Sequence, residues 1–469
     1  MRVLKFGGSS LGTTDGYKNV LNIINRNKTE SPVVVVSALG STTNDLVHLI
    51  RHSIETLSVS KELIHNIHDK QVKFVNTFVI ATARGSCIKY IEAEILQLSK
   101  YLHGITLLQE CPPKTRDAIL SFGEKCSQSI LTAALKSMEL RVVTFPPGKL
   151  IRTNSHFGSA QVEHNQTLSL IHNALQNRED ECITVLAGFL GMDDDGEITT
   201  LGRDGSDYTA GLIGKALNAD IVEIWSDVDG ILDGDPRLLP NAQLIHELHY
   251  HEAAEIAYFG TQVLHHNTIY PLETSQIPIV MKNTYNPNCP GTRITAMDNR
   301  HHKNIKLITS VQKVLFVKIK VAKPGRATII LSRFFDLLDH LKIRPFMVNQ
   351  SSADASFSVA IAEKFQSPFR DEFHNMFMDE ISLNHIILAK MIPDYCIVSA
   401  IGLAIADNPK NLSLFFSVLE EQEVSPVNIS LGVSGHNISA LVKAEDGERV
   451  VKAFHRHLIT KTHKSETIL

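Results

Sequence analysis

Short apolar runs alternate with longer stretches of helical period over the first 300 residues. Val3-Leu4-Lys5-Phe6 reads as a strand stopped by Gly7-Gly8, and Val33–Val36 as a buried β-branched strand. Thr42–Thr56 follows as a helix with Leu46, Leu49 and Ile50 on one face. Ile183–Leu190, Ile221–Trp225 and Ile277–Lys282 read as further core strands, with a helix over Ser206–Asn218 between the first two. Uninterrupted apolar strands alternating with helices predict an α/β fold, a mainly parallel sheet between helices. The polar string His301-His302-Lys303-Asn304 reads as a linker.

Beyond the linker the pattern repeats at an offset of 81, the step from Leu331 to Leu412. Leu331-Ser332-Arg333-Phe334-Phe335 aligns with Leu412-Ser413-Leu414-Phe415-Phe416, and Leu338, Asp339, Ile343 and Pro345 with Leu419, Glu420, Val424 and Pro426. Each unit reads strand, loop, amphipathic helix, strand, turn, strand, second helix. Two α+β units pairing with each other are expected, and their seam is a natural pocket.

Composition narrows the function. Forty-six Lys and Arg face 50 Asp and Glu, a net charge of −4, which argues against a dedicated nucleic-acid binder. The longest nearly apolar run, Cys396–Ala406, is far shorter than the ~18 residues of a membrane span. Met1–Gly8 carries Arg2 and Lys5 and no apolar signal core. The 6 cysteines form no C-x-x-C pair, which suits reduced thiols. No nucleic acid, no membrane and a cytoplasmic location are expected. The charge is uneven: residues 1–300 carry 26 basic and 33 acidic side chains, residues 301–469 carry 20 and 17. A region with that acidic surplus could hold an anion only through a few placed cations, not through a broad positive field.

Candidate chemistry sits where strands end. In Lys5-Phe6-Gly7-Gly8-Ser9-Ser10 a lysine precedes a backbone open to phosphate oxygens. Thr13 stands where a P-loop lysine would, and no G-x-G occurs, so neither common nucleotide fingerprint is present. Ser37-Ala38-Leu39-Gly40 runs through Thr43-Asn44 into a helix whose amides and hydroxyls could hold an anion. Phe122-Gly123-Glu124-Lys125 reads as the start of another helix, with Glu124 suited either to the helix dipole or to an ammonium group. Thr200-Leu201-Gly202-Arg203-Asp204-Gly205-Ser206-Asp207 offers a guanidinium for a carboxylate ahead of a helix. Trp225-Ser226-Asp227-Val228-Asp229-Gly230 closes a strand and runs on to Asp235-Pro236-Arg237; as turn dipeptides, Asp229-Gly230 and Asp235-Pro236 also fit a plain loop.

In that order, KFGGSS, VVVVSALGSTTN, FGEK, TLGRDGSDYTA, WSDVDGILDGDPR and FGTQVLHH resemble aspartate kinase, of the amino-acid kinase superfamily. The 81-residue repeat resembles the tandem ACT domains of that family. Leu102–Leu108 and Ile256–Gly260 are similar to the kinase half of threonine-sensitive aspartokinase–homoserine dehydrogenases; the chain ends soon after the repeat, so no dehydrogenase half is expected. The resemblance implies a catalytic domain over 1–300 and ACT domains over 310–390 and 391–469. It implies transfer of the ATP γ-phosphate to the β-carboxylate of L-aspartate, the first step of lysine, threonine and methionine biosynthesis. Lys5 would stabilise the transferring group beside the Gly7 and Gly8 amides, and Asp207 would orient Lys5 and the Mg²⁺ waters. Ser37, Thr43, Glu124, Arg203 and Ser206 would hold aspartate, Arg203 at its α-carboxylate. Ser226, Asp227, Leu232, Arg237 and Gln262 match nucleotide positions. Mg²⁺ would arrive with ATP, held by phosphates and water with no protein metal cage. A homodimer or dimer of dimers through the ACT domains is implied.

Three residues depart from the family pattern. Gln262 replaces a nucleotide-side lysine, Leu232 an adenine-side aromatic, and Asp204 sets a negative charge beside Arg203. An active but slow kinase is expected. In the repeat, Asn349-Gln350 keeps an effector-type amide, whereas Ser430-Leu431 loses it, so weakened or absent threonine feedback is expected, with threonine or lysine as the candidate effectors. Two rivals remain: a catalytically weak amino-acid sensor or regulatory subunit, which turnover separates from an enzyme, and a kinase of another small acid such as glutamate, whose relatives lack the tandem tail. His246, His249, His251, His265 and His266 do not form H-E-x-x-H and are expected to be solvated.

Overall fold

The computed structural model describes residues 1–259, 266–296, 304–351 and 355–459. The chain divides into two units. The first holds Met1–Ile231, Leu244–Tyr250 and Val263–Met297; the second holds Leu232–Gln243, His251–Gln262 and Asp298–Leu469. Two short pieces of the N-terminal region thus belong to the second unit.

In the first unit the strands are β1 (Arg2–Phe6), β2 (Val33–Val36), β3 (Val142–Thr144), β4 (Ile183–Ala187), β5 (Leu190–Met192), β6 (Ile198–Thr200), β7 (Ile221–Ser226), β8 (Glu247–His249), β9 (Ile279–Asn283) and β10 (Thr292–Thr295). Helices α1 (Gly8–Leu11), α2 (Thr14–Arg26), α3 (Thr42–Glu55), α4 (Lys61–Phe78), α5 (Ala81–Leu108), α6 (Pro113–Ser137), α7 (His164–Leu175) and α8 (Gly205–Ala216) run between them; α9 (Tyr250–Tyr258) and α10 (His266–Glu273) follow. Eight strands form one sheet in the order β3-β4-β2-β1-β7-β9-β10-β8, parallel except for β9 with β10. The register aligns Phe6 with Val36 and Trp225, and Val36 with Ala187. The loops after β1, β2, β4 and β7 therefore emerge together at the carboxyl edge, where such sheets bind ligands.

The expected strand Ile183–Leu190 is broken. A Cβ on Gly188 would meet the Ser206 Cβ at 2.7 Å, and Phe189 turns at φ 68. The chain bends around the start of α8, and Leu190–Met192 pairs with β6 in a separate hairpin.

In the second unit β11 (Leu307–Val321), β12 (Met347–Ser351), β13 (Ser356–Ala362), β14 (Ile386–Ile401), β15 (Asn428–Leu431) and β16 (Asn437–Lys443) form one sheet, ordered β12-β13-β11-β14-β16-β15. Helices α11 (Pro324–His340), α12 (Gln366–Ser382), α13 (Pro409–Glu421) and α14 (Ala444–Phe454) cover it. The two repeats share this sheet through the long β11–β14 pairing. Shifting β13, 356–362, by 81 gives 437–443, the bounds of β16. Each repeat keeps its own aromatic core, around Phe334, Phe369 and Phe373 in the first and Phe415 and Phe454 in the second. No described helix is long and apolar enough to cross a membrane.

From His251 onward, α9 is bound by the second repeat. Glu252, fully buried, accepts from the Leu403 N–H (2.8 Å) and Lys306 Nζ (2.9 Å), and Glu255 accepts from Ser434 Oγ and Asn437 Nδ2. His251 Nδ1 lies 3.1 Å from Nε2 of the buried His436. His251 is exposed, as expected of a solvated histidine, and its ring also packs on that of His436.

Candidate active site

A cavity of about 470 Å³ opens at the carboxyl edge of the first sheet. Lys5, Gly8, Ser37, Thr43, Glu124, Arg203 and Ser206 line it, drawn from four separate stretches of sequence. Lys5 comes from the end of β1, and its Nζ lies 2.5 Å from Asp207 Oδ1, both side chains about nine-tenths buried. Asp207 sits in the first turn of α8. A buried ion pair with a fixed carboxylate holds the ammonium in one place.

Glycines set how closely the loops approach. A Cβ on Gly8 would meet Gly40 O at 2.8 Å, and one on Gly123 would meet the Ala38 Cβ at 2.6 Å. The Ser37–Gly40 loop is thus clamped between the β1 loop and α6. Its amides serve that clamp: Ser37 N donates to Phe6 O, Ala38 N to Glu124 Oε1 and Gly40 N to Gly8 O. The anion-holding amides expected there are largely spent, leaving the side chains of Ser37, Thr43 and Asn44 facing the cavity. Gly7 differs likewise. Its N–H donates to Trp225 O at 3.1 Å, extending the β1–β7 pairing, so Gly8 and not Gly7 lines the cavity.

Glu124 is not at a helix start. α6 begins at Pro113, a residue suited to a first turn, and Phe122–Lys125 lies in mid-helix. Gly123, lacking a side chain, lets α6 pack on Ala38. Far from the helix dipole, Glu124 is 3% exposed, and burial pushes its carboxyl up to about 8 against the Ala38 N–H and the charge of Lys5. Oε1 is held by Ala38, while Oε2 is buried with no partner among the described residues. A buried half-satisfied carboxylate in a cavity is a site for a cationic group.

Arg203 is the most open member, 69% exposed, with Nε 3.5 Å from Asp204 Oδ2. Asp204 adopts φ 55 ahead of α8, a left-handed position that Asp tolerates.

Two residues of α6 escaped the sequence reading. Arg116 lines the cavity, and the buried Asp117 accepts from Gly158 N, Thr200 N and Thr200 Oγ1, each at 2.8 Å. Burial raises the Asp117 carboxyl, against the pull of these donors. The signal was present in the spacing: Arg116, Leu120 and Glu124 recur at i, i+4 and i+8 on one helical face. Asp117→Ala strips three donors of their acceptor and is expected to cost about 2–4 kcal/mol. Urea unfolding of the purified variant checks this; an unchanged midpoint contradicts it.

Of the residues expected to meet the nucleotide, Ser226 ends β7 and Asp227 is exposed. Leu232 and Arg237 belong to the second unit, where Arg237 pairs with Asp235 at 2.7 Å. Gln262 and His265 lie outside the described residues. Among the described residues the one three-member cluster of metal-ligand type is His65, His68 and Asp69 on α4, none of which lines the cavity. Asn349, an expected effector contact, donates its amide to Asn428 Oδ1 and to Ile429 O, joining the two repeats. Gln350 is exposed.

Residues 1–283 match the amino acid kinase family, and residues 398–458 match an ACT domain. The chain is 31% identical to aspartokinase 1, chloroplastic, of Arabidopsis thaliana, covering 100% of this chain and 82% of that protein. It is 30% identical to the bifunctional aspartokinase/homoserine dehydrogenase of Buchnera aphidicola, over 98% of this chain and 56% of that protein. The chain thus spans just over half the length of such bifunctional relatives. Among solved structures it is similar to E. coli aspartokinase III in complex with aspartate and ADP, with a TM-score of 0.83 and 26% identity over 98% of this chain and 99% of that one.

Proposed function

Because the chain belongs to the amino acid kinase family, among its aspartokinases, we propose that it phosphorylates the β-carboxylate of L-aspartate with Mg-ATP, giving 4-phospho-L-aspartate and ADP. One observation carries this reading. A buried carboxylate with an unpaired oxygen, Glu124, shares a cavity with a fixed lysine and two arginines, the complement of an ammonium group flanked by carboxylates. The similarity to a relative solved with aspartate and ADP supports it.

The acceptor carboxylate, of ordinary pKa about 3.9, is ionised at neutral pH, so no general base is needed. One of its oxygens attacks the γ-phosphorus, and the bond to the β–γ bridging oxygen breaks with the electron pair leaving on ADP. The difficulty is bringing two anions together, which charge and alignment resolve. Lys5, oriented by Asp207, meets the transferring phosphoryl group; Glu124 holds the α-ammonium group, with Ser37, Thr43, Ser206 and Arg203 around it. Ser226, Asp227, Leu232, Arg237 and Gln262 remain the residues proposed for the nucleotide. Mg²⁺ enters as part of the nucleotide substrate, carried by phosphates and water.

Regulation and assembly complete the proposal. With the Asn349 amide engaged between the repeats and Leu431 exposed, an effector amino acid such as threonine or lysine meets a reduced site. Val348, Leu431 and Val433 expose apolar surface on or beside the edge strands β12 and β15, which supports pairing with a second copy as a dimer or dimer of dimers. The cytosol is the proposed compartment. A panel read by ADP release tests the set: turnover is expected with aspartate, little with glutamate, and no sub-millimolar inhibition by threonine. Equal rates with glutamate favour the other small-acid kinase, and nucleotide binding without turnover favours the regulatory subunit.

A further inference from the structure

We propose that Arg116 is a second guanidinium for the substrate's α-carboxylate, acting with Arg203 to select an amino acid that carries that group. The inference rests on the aspartate kinase reading and adds a residue to it. Three cations line the cavity, and two have carboxylates beside them: Lys5 is paired with Asp207, and Arg203 lies beside Asp204. Arg116 has no ion-pair partner among the described residues. Its neighbour Asp117 places both oxygens on Gly158 and Thr200.

Position argues the same way. α6 begins at Pro113, which puts Arg116 in the first turn, where a cation opposes the helix dipole. A half-buried, unpaired arginine there weakens the helix, so helix stability does not account for it. Arg116 and Glu124 stand about 12 Å apart along the axis by helical rise, on the face that lines the cavity. Two long side chains converging over that span match a short amino acid whose ammonium meets Glu124 and whose α-carboxylate meets Arg116. The planar fork of arginine suits a carboxylate in two-point contact. Arg203, open and beside Asp204, is the weaker half of such a clamp in this chain.

Steady-state kinetics of Arg116→Gln with L-aspartate and with its α-amide, which lacks the α-carboxylate, test this. The KM for aspartate is expected to rise about 10- to 100-fold, the effect of losing a hydrogen bond to a charged group. The KM for ATP should stay within about 2-fold and the KM for the α-amide within about 3-fold by the same reasoning, with Arg116→Lys recovering part of the loss. An unchanged KM for aspartate, a rise in the KM for ATP instead, or an equal penalty on the α-amide overturns the proposal. Thermal denaturation of both variants separates misfolding from lost contact. A wild-type protein without turnover refutes the kinase reading itself, a different outcome from a wild-type enzyme indifferent to Arg116.

Discussion

Lys5→Met is expected to lower kcat about 10²- to 10³-fold, with the KM for ATP changed far less. The lysine lies at the end of β1, its Nζ 2.5 Å from Asp207, and its charge matters most when negative charge spreads over the transferring phosphoryl group. The substitution also leaves the buried Asp207 without the cation that faces it, which costs about 2–4 kcal/mol of stability. The double variant Lys5→Met/Asp207→Asn separates the two effects: stability returns towards wild type while turnover stays low. Turnover restored together with stability would mean that the pair is structural. Lys5→Arg keeps the charge, but its larger fork does not fit a buried point-charge position, so little rescue is expected.

Glu124→Gln is expected to raise the KM for aspartate about 10²-fold while making the ligand-free protein more stable at pH 9. Burial lifts the Glu124 carboxyl from 4.5 to about 8. The ligand-free folded chain therefore keeps a proton that the unfolded chain releases. Protons bound by the folded state exceed those of the unfolded state between about pH 4.5 and 8, so the contribution of this group to stability falls as pH rises through that window. A neutral amide removes the penalty, and the melting temperature of Glu124→Gln at pH 9 should exceed that of wild type. Substrate reverses the balance: an ammonium group beside Oε2 favours the ionised carboxylate, so aspartate binding at pH 7 should release a proton. Calorimetry in two buffers of different ionisation enthalpy reads that proton; equal heats in both would contradict an ammonium-binding Glu124.

Much of this arrangement is legible in the sequence. Val33–Val36 could only be a buried strand, and the loops of a parallel sheet converge at its carboxyl edge. The lysine of β1, the glutamate of α6 and the arginine ahead of α8 share one cavity for that reason. The repeat was legible because each unit must present the same apolar faces to a shared sheet, which puts β13 and β16 in the same frame. What escaped reading depended on close approach in space. Phe122–Lys125 reads as a helix start, whereas α6 begins at Pro113 and the close packing of Gly123 on Ala38 leaves Glu124 at a buried mid-helix position. The amides of Gly7, Ser37 and Ala38 looked free for anions, yet they hold the loops together. Arg116 and Asp117 carry no motif, and only the helical spacing to Glu124 marks them. The hold of the second repeat on α9 through Glu252, Glu255 and His436 joins segments far apart in sequence, which no local pattern reports.

The most direct measurement is trapping with hydroxylamine. An acyl phosphate formed on a carboxylate reacts with hydroxylamine to give a hydroxamate, whereas simple ATP hydrolysis leaves none. With Mg-ATP and L-aspartate, the purified chain is expected to form aspartyl hydroxamate in step with ADP, and little or no hydroxamate with glutamate. ADP release without hydroxamate, or no turnover by a folded protein that binds both substrates, would contradict its assignment as an aspartate kinase.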